Sequence, residues 1–488
     1  MTNPLQFNLD RSAKPPLAEQ IRKGISTAVE NGALRAGARL PSWRDLAAQL
    51  GVARGTVRSA YERLIDAQII VSSRSGTYVS ELRAKGKRPD IPPEPPSFKE
   101  LYRDFSTGPA IFQMGVPAPD CFPAKLMARI RARAVRAEAS APPTYPDPRG
   151  ATELRREIAA HVAIARALDC APSQIFITSG FAGALGLALR VLSLEGRNAW
   201  MEDPGFPITR RGLEIARLTP VPIPVDGEGI DVDHGVLHAP DAALAIVTPG
   251  QQAPLGSTLS VARRMRLLDW AARSGAWIIE DDYLSELQLE GRAAPALASL
   301  DRAGRVLHIG TFSKTISPTL RLGFLVSPPS LVAKLAEAAA SLAPAPGPST
   351  QLATAEFMRD GHYMRHLRRM KRVYAGRRET LSGCLQARGY ETSAAGLAVL
   401  LKLPDAVSDT AVARQALAHG LAPAPLSPWY MSPKTALSGL LLNAATLPEQ
   451  RLKAAADRLC DIIETPAQAR AGTDSRSAAQ TKQPPDEC

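Results

Sequence analysis

Five prolines fall within eight residues, from Pro89 to Pro96, directly after the charged run ELRAKGKR. Proline fixes φ and lacks a backbone N–H, so this stretch continues neither a helix nor a central strand and is typical of a semi-rigid, solvated linker. Sequence on its two sides must therefore fold as separate units. The resulting prediction is an N-terminal domain at 1–80, a linker at 81–106, a larger domain at 107–465 and a disordered polar tail at 466–488.

Charge is distributed unevenly between these units. The first 88 residues carry 15 Lys and Arg against 7 Asp and Glu, whereas the other 400 carry 44 against 40. A basic N-terminal unit is typical of a polyanion-binding module, although solvated basic segments of no such function show the same surplus.

Other composition features exclude several classes. No apolar run approaches the roughly 18 residues that span a bilayer, and the N-terminus lacks the apolar core of a signal peptide. The five cysteines are an odd number without a CxxC pair, which argues against a disulfide framework and against a zinc site. We expect a cytoplasmic protein without a membrane segment or a bound metal.

The N-terminal unit has the pattern of three helices and a β-hairpin. Apolar residues in LAEQIRKGISTAVE recur on one helical face, and Asn-Gly follows. Ser42, with Asp45 three residues later, predicts the start of a short helix that ends before Gly51. Another helix is predicted from near Ala53 to about Ala67, followed by two short strands around SRSG. Short helix, turn, second helix and wing is the plan of a winged helix-turn-helix.

Polar residues of this unit are candidates for DNA contacts. Those early on the third helix could face a major groove, where arginine matches guanine edges and phosphates, and those on the second helix and wing could contact the backbone. For any single arginine, a solvated side chain is the alternative. The predicted DNA-binding residues are Arg44, Arg54, Thr56, Arg58, Arg74, Gly76 and Thr77.

Residues 16–80 closely resemble the winged-helix domain of the GntR family. The run LPSWRDLAAQLGVARGTVRSAYERL carries the resemblance through both helices, and SGTYV carries it into the wing. Two departures are Ala53, where the family usually has Ser, and the serines of the wing turn, where a second Gly is common. The resemblance implies binding to a double-stranded DNA operator.

Beyond the linker, apolar strand-like runs alternate with amphipathic helical stretches, which predicts an α/β domain. One run, AWIIEDDY, ends in Asp281 and Tyr283, and another, VLHIGTFSK, ends in Thr311, Ser313 and Lys314. Ligands of doubly wound sheets bind where strands end.

This set of residues suits pyridoxal phosphate. Lys314 supplies the amine for a Schiff base, and a carboxylate opposite the ring nitrogen, Asp281, makes the ring an electron sink. Tyr283 can donate to the ring hydroxyl, and Phe206 in MEDPGFP can cover the ring. The phosphate ligands would be Thr311, Ser313 and Arg321. Each residue taken alone is more often a cap or a solvated charge, so the prediction depends on their joint spacing.

Residues 107–465 resemble the fold-type I aminotransferases, and the fusion to a DNA-binding domain resembles the MocR/GabR subfamily of GntR regulators. The matching strings are YPDPRGATELRREIAAHV, QIFITSG, MEDPGFP, VTPGQQAPLG, IIEDDYLSEL and GTFSKTISPTLRLGFLV. The resemblance implies a large domain with a seven-stranded, mostly parallel sheet and a small C-terminal α/β subdomain. It also implies a head-to-tail, domain-swapped homodimer in which Tyr145 reaches the partner's cofactor phosphate.

The chain departs from this family at three places. The phosphate-binding helix start is Gly180-Phe181-Ala182, where Ser-Gln-Gln commonly follows the Gly, which leaves mainly backbone N–H groups and the helix dipole as donors. Gln251 replaces a usual His, so Gln252 is the candidate near the ring oxygen. In GLLLNAAT, Leu441 lies near the place where aminotransferases have an Arg that binds the substrate carboxylate.

Three functions are compatible with these patterns. The first is a pyridoxal phosphate-dependent transcription regulator, not an enzyme, that senses an amine, an amino acid or vitamin B6 at Lys314, with a partial half-transamination still open. The second is a genuine aminotransferase with an accessory DNA-binding domain. The third is a scaffold whose aminotransferase-like domain has lost its cofactor. The basic winged helix, the linker and the missing carboxylate Arg favour the first.

Overall fold

The structure is a computed structural model that describes residues 9–73, 76–80, 110–404, 406–432 and 434–464, with the side chain of Ser285 left out. The chain divides into two compact units, residues 1–100 and 101–488. The predicted linker and tail lie outside the described residues. No helix of the described ranges is long and apolar enough to cross a membrane.

The first unit contains three helices and a three-stranded antiparallel sheet. The helices are α1 (Leu17–Glu30), α2 (Trp43–Leu50) and α3 (Arg54–Asp66), and the strands are β1 (Arg39–Leu40), β2 (Ile70–Ser73) and β3 (Gly76–Val79), in the order β1-β3-β2. One apolar side of each helix meets in a single core, which includes Ile21, Ile25, Leu46, Val57 and Leu64, all fully buried.

The predicted helix boundaries of this unit are confirmed to within a residue. Ser42 caps α2, since its Oγ accepts the backbone N–H of Asp45 at 3.2 Å. Gly51 ends α2 in the left-handed conformation, with φ +61°, which glycine adopts without steric penalty. Strand β1 is not predicted by the sequence, because two residues are too few to show an alternating pattern.

The second unit is built on an eight-stranded sheet with the order β4-β11-β10-β9-β8-β5-β6-β7. Its strands are β4 (Ile175–Thr178), β5 (Asn198–Asp203), β6 (Thr219–Asp226), β7 (Gly229–Ile230), β8 (Leu244–Val247), β9 (Trp277–Asp282), β10 (Val306–Thr311) and β11 (Gly323–Val326). All pairs are parallel except those of β11 and the β6–β7 pair. The mostly parallel sheet is confirmed. The resemblance implies seven strands, and β7 is an additional two-residue hairpin partner of β6.

Helices cover both faces of this sheet. They are α4 (Ala124–Ser140), α5 (Thr152–Arg166), α6 (Phe181–Leu192), α7 (Pro207–Ile215), α8 (Val232–His238), α9 (Val261–Ser274), α10 (Leu297–Leu300), α11 (Val332–Leu342), α12 (Pro348–Arg359) and α13 (His362–Ala387). Alternate residues of each strand face opposite layers. Ile175 and Ile177 pack with α4, α5, α12 and α13, whereas Phe176 packs with α6 and α11.

A smaller subdomain follows the sheet. It contains the antiparallel strands β12 (Thr392–Ala395), β13 (Ala398–Lys402), β14 (Ala424–Pro425) and β15 (Gly439–Asn443), in the order β12-β13-β15-β14, and the helices α14 (Asp409–Leu417) and α15 (Glu449–Glu464). The long helix α13 belongs to both cores. Tyr363 and Met370 are buried in the large-domain core, and Leu381 and Leu385 in the small one.

Candidate cofactor site and nucleic-acid interface

Helix α3 presents its cations on the side opposite the core. Val57 and Leu64 are buried, while Arg54 and Arg58 are exposed and Thr56 is half-buried. The Nε of Arg58 donates to Glu62 Oε1 at 2.8 Å, and in the described part of the chain no ion pair includes Arg54. Arg54 therefore lies exposed at the first residue of α3, and its predicted contact with DNA stays a prediction.

Helix α2 and the wing carry the other candidates. Arg44 is exposed, and its guanidinium lies over the Trp43 ring at 4.9 Å. Gly76 and Thr77 open β3 and are half-buried, while Arg74 lies outside the described residues. Gly76 has φ +137°, and a Cβ there would be 3.1 Å from Arg39 Nε, so glycine is required for this turn.

Strand register gathers the cofactor candidates at one edge of the large sheet. Thr311, the last residue of β10, pairs with Gly323 at the start of the antiparallel strand β11, and Gly323 pairs with Thr178 at the end of β4. On the other side of β10, Asp281 of β9 pairs with Ile309, two residues before Thr311. Adjacent strands lie about 4.8 Å apart, so the ends of β4, β10 and β9 form one continuous rim.

Lys314 follows β10 at this rim. Its Nζ donates to the backbone oxygen of Gly115 at 2.9 Å. Burial lowers the pKa of Lys314 to about 8, although the nearby Asp281 carboxylate acts in the opposite direction. A larger neutral fraction makes this amine a better nucleophile than an ordinary lysine.

Asp281 is buried, and its Oδ1 has no hydrogen-bond partner among the described residues. Burial raises its pKa well above the ordinary value, and the Asp282 and Glu202 carboxylates raise it further. A buried carboxyl oxygen without a donor is unfavourable. The site therefore lacks a donor at Asp281, and a protonated ring nitrogen would supply one.

The opposite end of the site is suited to a phosphate. Gly180 precedes α6 with φ +85°, and a Cβ there would meet no atom within 4 Å, so the start of this helix is open. Backbone N–H groups at a helix start attract anions. The hydroxyls of Thr311 and Ser313 lie 3.0 Å apart. Arg321 is exposed and has φ +47°, a strained conformation for a residue with a side chain.

Phe206 and Tyr283 are half-buried near these groups. The Phe206 ring lies 6.4 Å from the ring of Phe181 and 5.7 Å from that of Trp429, measured between centroids. Tyr145 is fully exposed, with a relative exposure of 103%, and its predicted contact with a partner subunit stays a prediction.

Gln252 is occupied within its own loop. Its Nε2 donates to the backbone oxygens of Pro204 and Ala253, each at 2.8 Å, and its Oε1 accepts from Leu255 N at 2.9 Å. A contact between Gln252 and the ring oxygen of a cofactor would require these bonds to be exchanged, because both amide hydrogens are used. The predicted contact between Gln252 and the ring oxygen of the cofactor therefore stays a prediction.

Taken together, the polar groups of this rim fit pyridoxal phosphate. An amine with a lowered pKa, a buried carboxyl oxygen that lacks a donor among the described residues, and an open helix start with adjacent hydroxyls occur at one rim of the sheet. These groups correspond to the aldehyde, ring nitrogen and phosphate of that cofactor.

Sequence patterns missed three features of the site. Gly115 holds the Lys314 amine from a segment outside any helix or strand, which no periodicity identifies. Glu202 is buried, with its pKa raised by burial to about 7, and accepts from Thr248 N at 2.9 Å. Trp429 reaches the site from the small subdomain. Glu202 lies in the string MEDPGFP, four residues before Phe206. This closeness to a predicted cofactor residue is the sequence signal that could have identified it.

Thr315, the residue after Lys314, is hydrogen-bonded to α13. The hydroxyl of Tyr363 donates to Thr315 Oγ1 at 3.0 Å and also contacts Glu286, and His366 Nε2 lies 2.8 Å from the backbone oxygen of Thr315. Thr315 is buried. These bonds fix the backbone beside Lys314 to the first turns of the helix that continues into the small subdomain.

The lowered pKa of Lys314 predicts unusual reactivity. Because its pKa is about 8, about one-tenth of this amine is neutral at pH 7, against less than about one-thousandth for an ordinary lysine. Reductive methylation with formaldehyde, followed by peptide mass spectrometry, should show the Lys314 rate rising from pH 6 and levelling above pH 8. The exposed Lys334 is the internal control, with a rate that still rises at pH 10. If the methylation rate of Lys314 depended on pH in the same way as that of Lys334, the pKa of Lys314 would not be lowered.

Comparison with known proteins gives two matches along the chain. Residues 17–79 match the family described as bacterial regulatory proteins, gntR family, and residues 115–459 match the family described as aminotransferase class I and II.

Relatives span both parts. The chain is 33% identical over 436 residues to the probable rhizopine catabolism regulatory protein MocR of Rhizobium meliloti, covering 86% of this chain and 88% of that protein. It is also 33% identical over 372 residues to the HTH-type pyridoxine biosynthesis transcriptional regulator PdxR of Corynebacterium glutamicum, covering 76% and 78%. Among solved structures, LysN, the alpha-aminoadipate aminotransferase of Thermus thermophilus, complexed with N-(5'-phosphopyridoxyl)-L-leucine, is similar with a TM-score of 0.66 and 26% identity, covering 76% of this chain and 95% of that one.

Proposed function

Because the chain belongs to the GntR family of bacterial regulators, among those of the MocR type with an aminotransferase class I and II domain, we propose that it regulates transcription by binding an operator through α3 and sensing a small molecule through pyridoxal phosphate at Lys314. The observation that carries this proposal is that the Lys314 amine and the buried Asp281 carboxyl, whose Oδ1 lacks a donor among the described residues, lie at the same rim of the sheet. The same chain carries an exposed arginine, in no ion pair among the described residues, at the start of a helix-turn-helix recognition helix.

Each residue of the rim has a defined task. When bound, pyridoxal phosphate supplies an aldehyde that reacts with primary amines. Lys314 would hold that carbon, and Asp281 would accept a hydrogen bond from the ring nitrogen. Phe206 would cover the ring, and Tyr283 would donate to its hydroxyl. The phosphate would be held by the backbone of Gly180, Phe181 and Ala182 together with Thr311, Ser313 and Arg321.

Sensing requires two conformations that bind DNA with different affinity. An effector shifts their equilibrium only as far as its affinities for the two states differ. The effector class is an amine, an amino acid or vitamin B6 itself. We also propose a head-to-tail homodimer, because the fully exposed Tyr145 side chain is available to a second subunit.

The alternative is a genuine aminotransferase, and the reactive Lys314 favours it. The small-subdomain sheet argues against it. Leu441 is fully buried with Leu400 and Leu426, and Trp429 and Tyr430 pack against the same cluster. The described residues of β15 include no cation for a substrate carboxylate. Sensing therefore explains the site better than amino acid turnover does.

The decisive experiment measures DNA affinity as a function of ligand. Full-length protein is titrated onto the promoter fragment adjoining its own gene, first without cofactor, then with pyridoxal phosphate, and then with a panel of amines and ω-amino acids. We expect at least one ligand to change affinity by about 5- to 150-fold, the usual range of coupling between sites. Steady turnover of an amino acid with a keto acid, without any change in DNA affinity, would establish the enzyme instead.

A further inference from the structure

Positive charge in the second unit is concentrated in two short segments. Residues 119–140 and 359–378 together carry 13 Lys and Arg against 3 Asp and Glu, whereas the rest of residues 89–488 carries 31 against 37. The segments contain most of α4 and the first part of α13. The aminotransferase-like unit, almost neutral as a whole, therefore carries its excess of positive charge in these two segments.

Both helices lie in the same layer on the sheet. Met127 and Ile130 of α4 and Leu367 and Met370 of α13 are buried in one core cluster. Helices that share a layer turn their opposite sides away from the sheet, toward solvent. The exposed cations on those outer sides include Lys125, Arg129, Arg136, Arg368 and Arg372, which we call the basic face.

Two acids near the basic face are bound to cations outside it, whereas Glu138 of α4 and Glu379 of α13 are exposed and form no ion pair among the described residues. Asp120 is held by Arg377, whose Nη1 donates to its Oδ1 at 3.2 Å, and Glu356 is held by Arg133. None of the described residues forms an ion pair with a member of the basic face. Like charges that lack counter-charges repel each other, so the face is set up for an external polyanion.

We propose that the basic face is a second, sequence-independent DNA-binding surface that contacts duplex phosphates beyond the operator. Four of its five members are arginines, which bind phosphate oxygens in bidentate geometry. A duplex is also the polyanion that the GntR domain keeps attached to the same chain, at high effective concentration.

A membrane surface suits the basic face less well. Peripheral helices insert an apolar side below the lipid headgroups. Here the apolar sides of α4 and α13 are used in the core of the unit. Among the large apolar side chains of these two helices, only Val135 of α4 and Met364 of α13 are exposed. Two separate side chains do not make an apolar stripe, and cations without such a stripe are the pattern of a surface that binds phosphates from outside.

The test is the salt dependence of DNA binding by the full chain. The variant Lys125→Gln, Arg129→Gln, Arg136→Gln, Arg368→Gln, Arg372→Gln is compared with an equally charged control, Arg273→Gln, Arg302→Gln, Lys334→Gln, Arg414→Gln, Lys453→Gln, which removes exposed cations elsewhere on the unit. Binding to a random-sequence duplex of about 60 base pairs is measured by fluorescence anisotropy between about 50 and 200 mM salt. Thermal unfolding checks that both variants are folded.

Each phosphate contact that a variant loses reduces the magnitude of the negative slope of log K against log salt by about 0.9. We expect the slope of the basic-face variant to fall by about 3 to 4.5, and that of the control by less than about 1. Equal slopes for the two variants, or no change in the basic-face variant, would overturn the proposal. So would an unchanged DNA slope together with lost binding to anionic phosphatidylserine vesicles, which would assign the face to a lipid surface.

Discussion

Replacing Lys314 by alanine is expected to abolish covalent capture of pyridoxal phosphate completely, while the DNA affinity of the cofactor-free protein stays within about twofold of the original. The amine is the only part of the lysine that reacts with an aldehyde, and alanine has no replacement for it. Lys314 belongs to the second unit, and the DNA-binding candidates belong to the first. Visible absorbance after incubation with the cofactor, and protein mass after borohydride reduction, measure the loss.

The matched control for this change is Lys334→Ala, on the exposed side of α11. It should keep both the absorbance and the added mass, because it removes an equal charge outside the rim. If Lys314→Ala kept the added mass, another lysine would be the attachment point. If it lost DNA binding together with the absorbance, the two units would not act as separate modules.

Replacing Arg54 by alanine is expected to weaken operator binding by about 1–3 kcal/mol, which is about 5- to 150-fold in Kd. Arg54 is exposed at the first turn of α3. Its side chain is not committed to an ion pair among the described residues, so its full charge is available to DNA. Anisotropy titrations at physiological salt, on operator and on random duplex, measure the change.

Arg63→Ala provides the control on the same helix. Arg63 is exposed near the C-terminal end of α3, and its Nη1 lies 3.3 Å from Glu19 Oε2. Its removal should leave DNA affinity within about twofold, because that end of a recognition helix lies away from the groove. Equal losses in both variants would indicate a general charge effect. An unchanged affinity for Arg54→Ala would show that α3 is not the reading helix.

Much of the fold follows from local patterns in the sequence. Ser42 and Gly51 mark the limits of α2, because serine is favoured at a helix start and glycine in the left-handed conformation that ends a helix. The strands ending in Asp281 and Thr311 are visible as apolar runs that stop at polar residues. What such patterns leave out are contacts between distant segments. Gly115 and Lys314 are 199 positions apart, and no period in the chain connects them.

The same limit applies to residues whose role depends on which bonds are already made. Gln252 has the right type for a contact with the cofactor, yet its amide is used by its own loop. Conversely, Thr315 looks like any polar residue beside a lysine, and only tertiary packing shows Tyr363 and His366 holding it. Chemical type predicts candidates, whereas folding decides which of their atoms remain available.

Helix α13 passes through two hydrophobic cores as one uninterrupted rod. A rod that is rigid along its length cannot tilt at one end without moving the other. A ligand that displaced Thr315, which is bonded to the first turns of α13, is therefore expected to move Leu381 and Leu385 in the small subdomain. We therefore expect a small displacement beside Lys314 to be accompanied by a larger movement of the small subdomain.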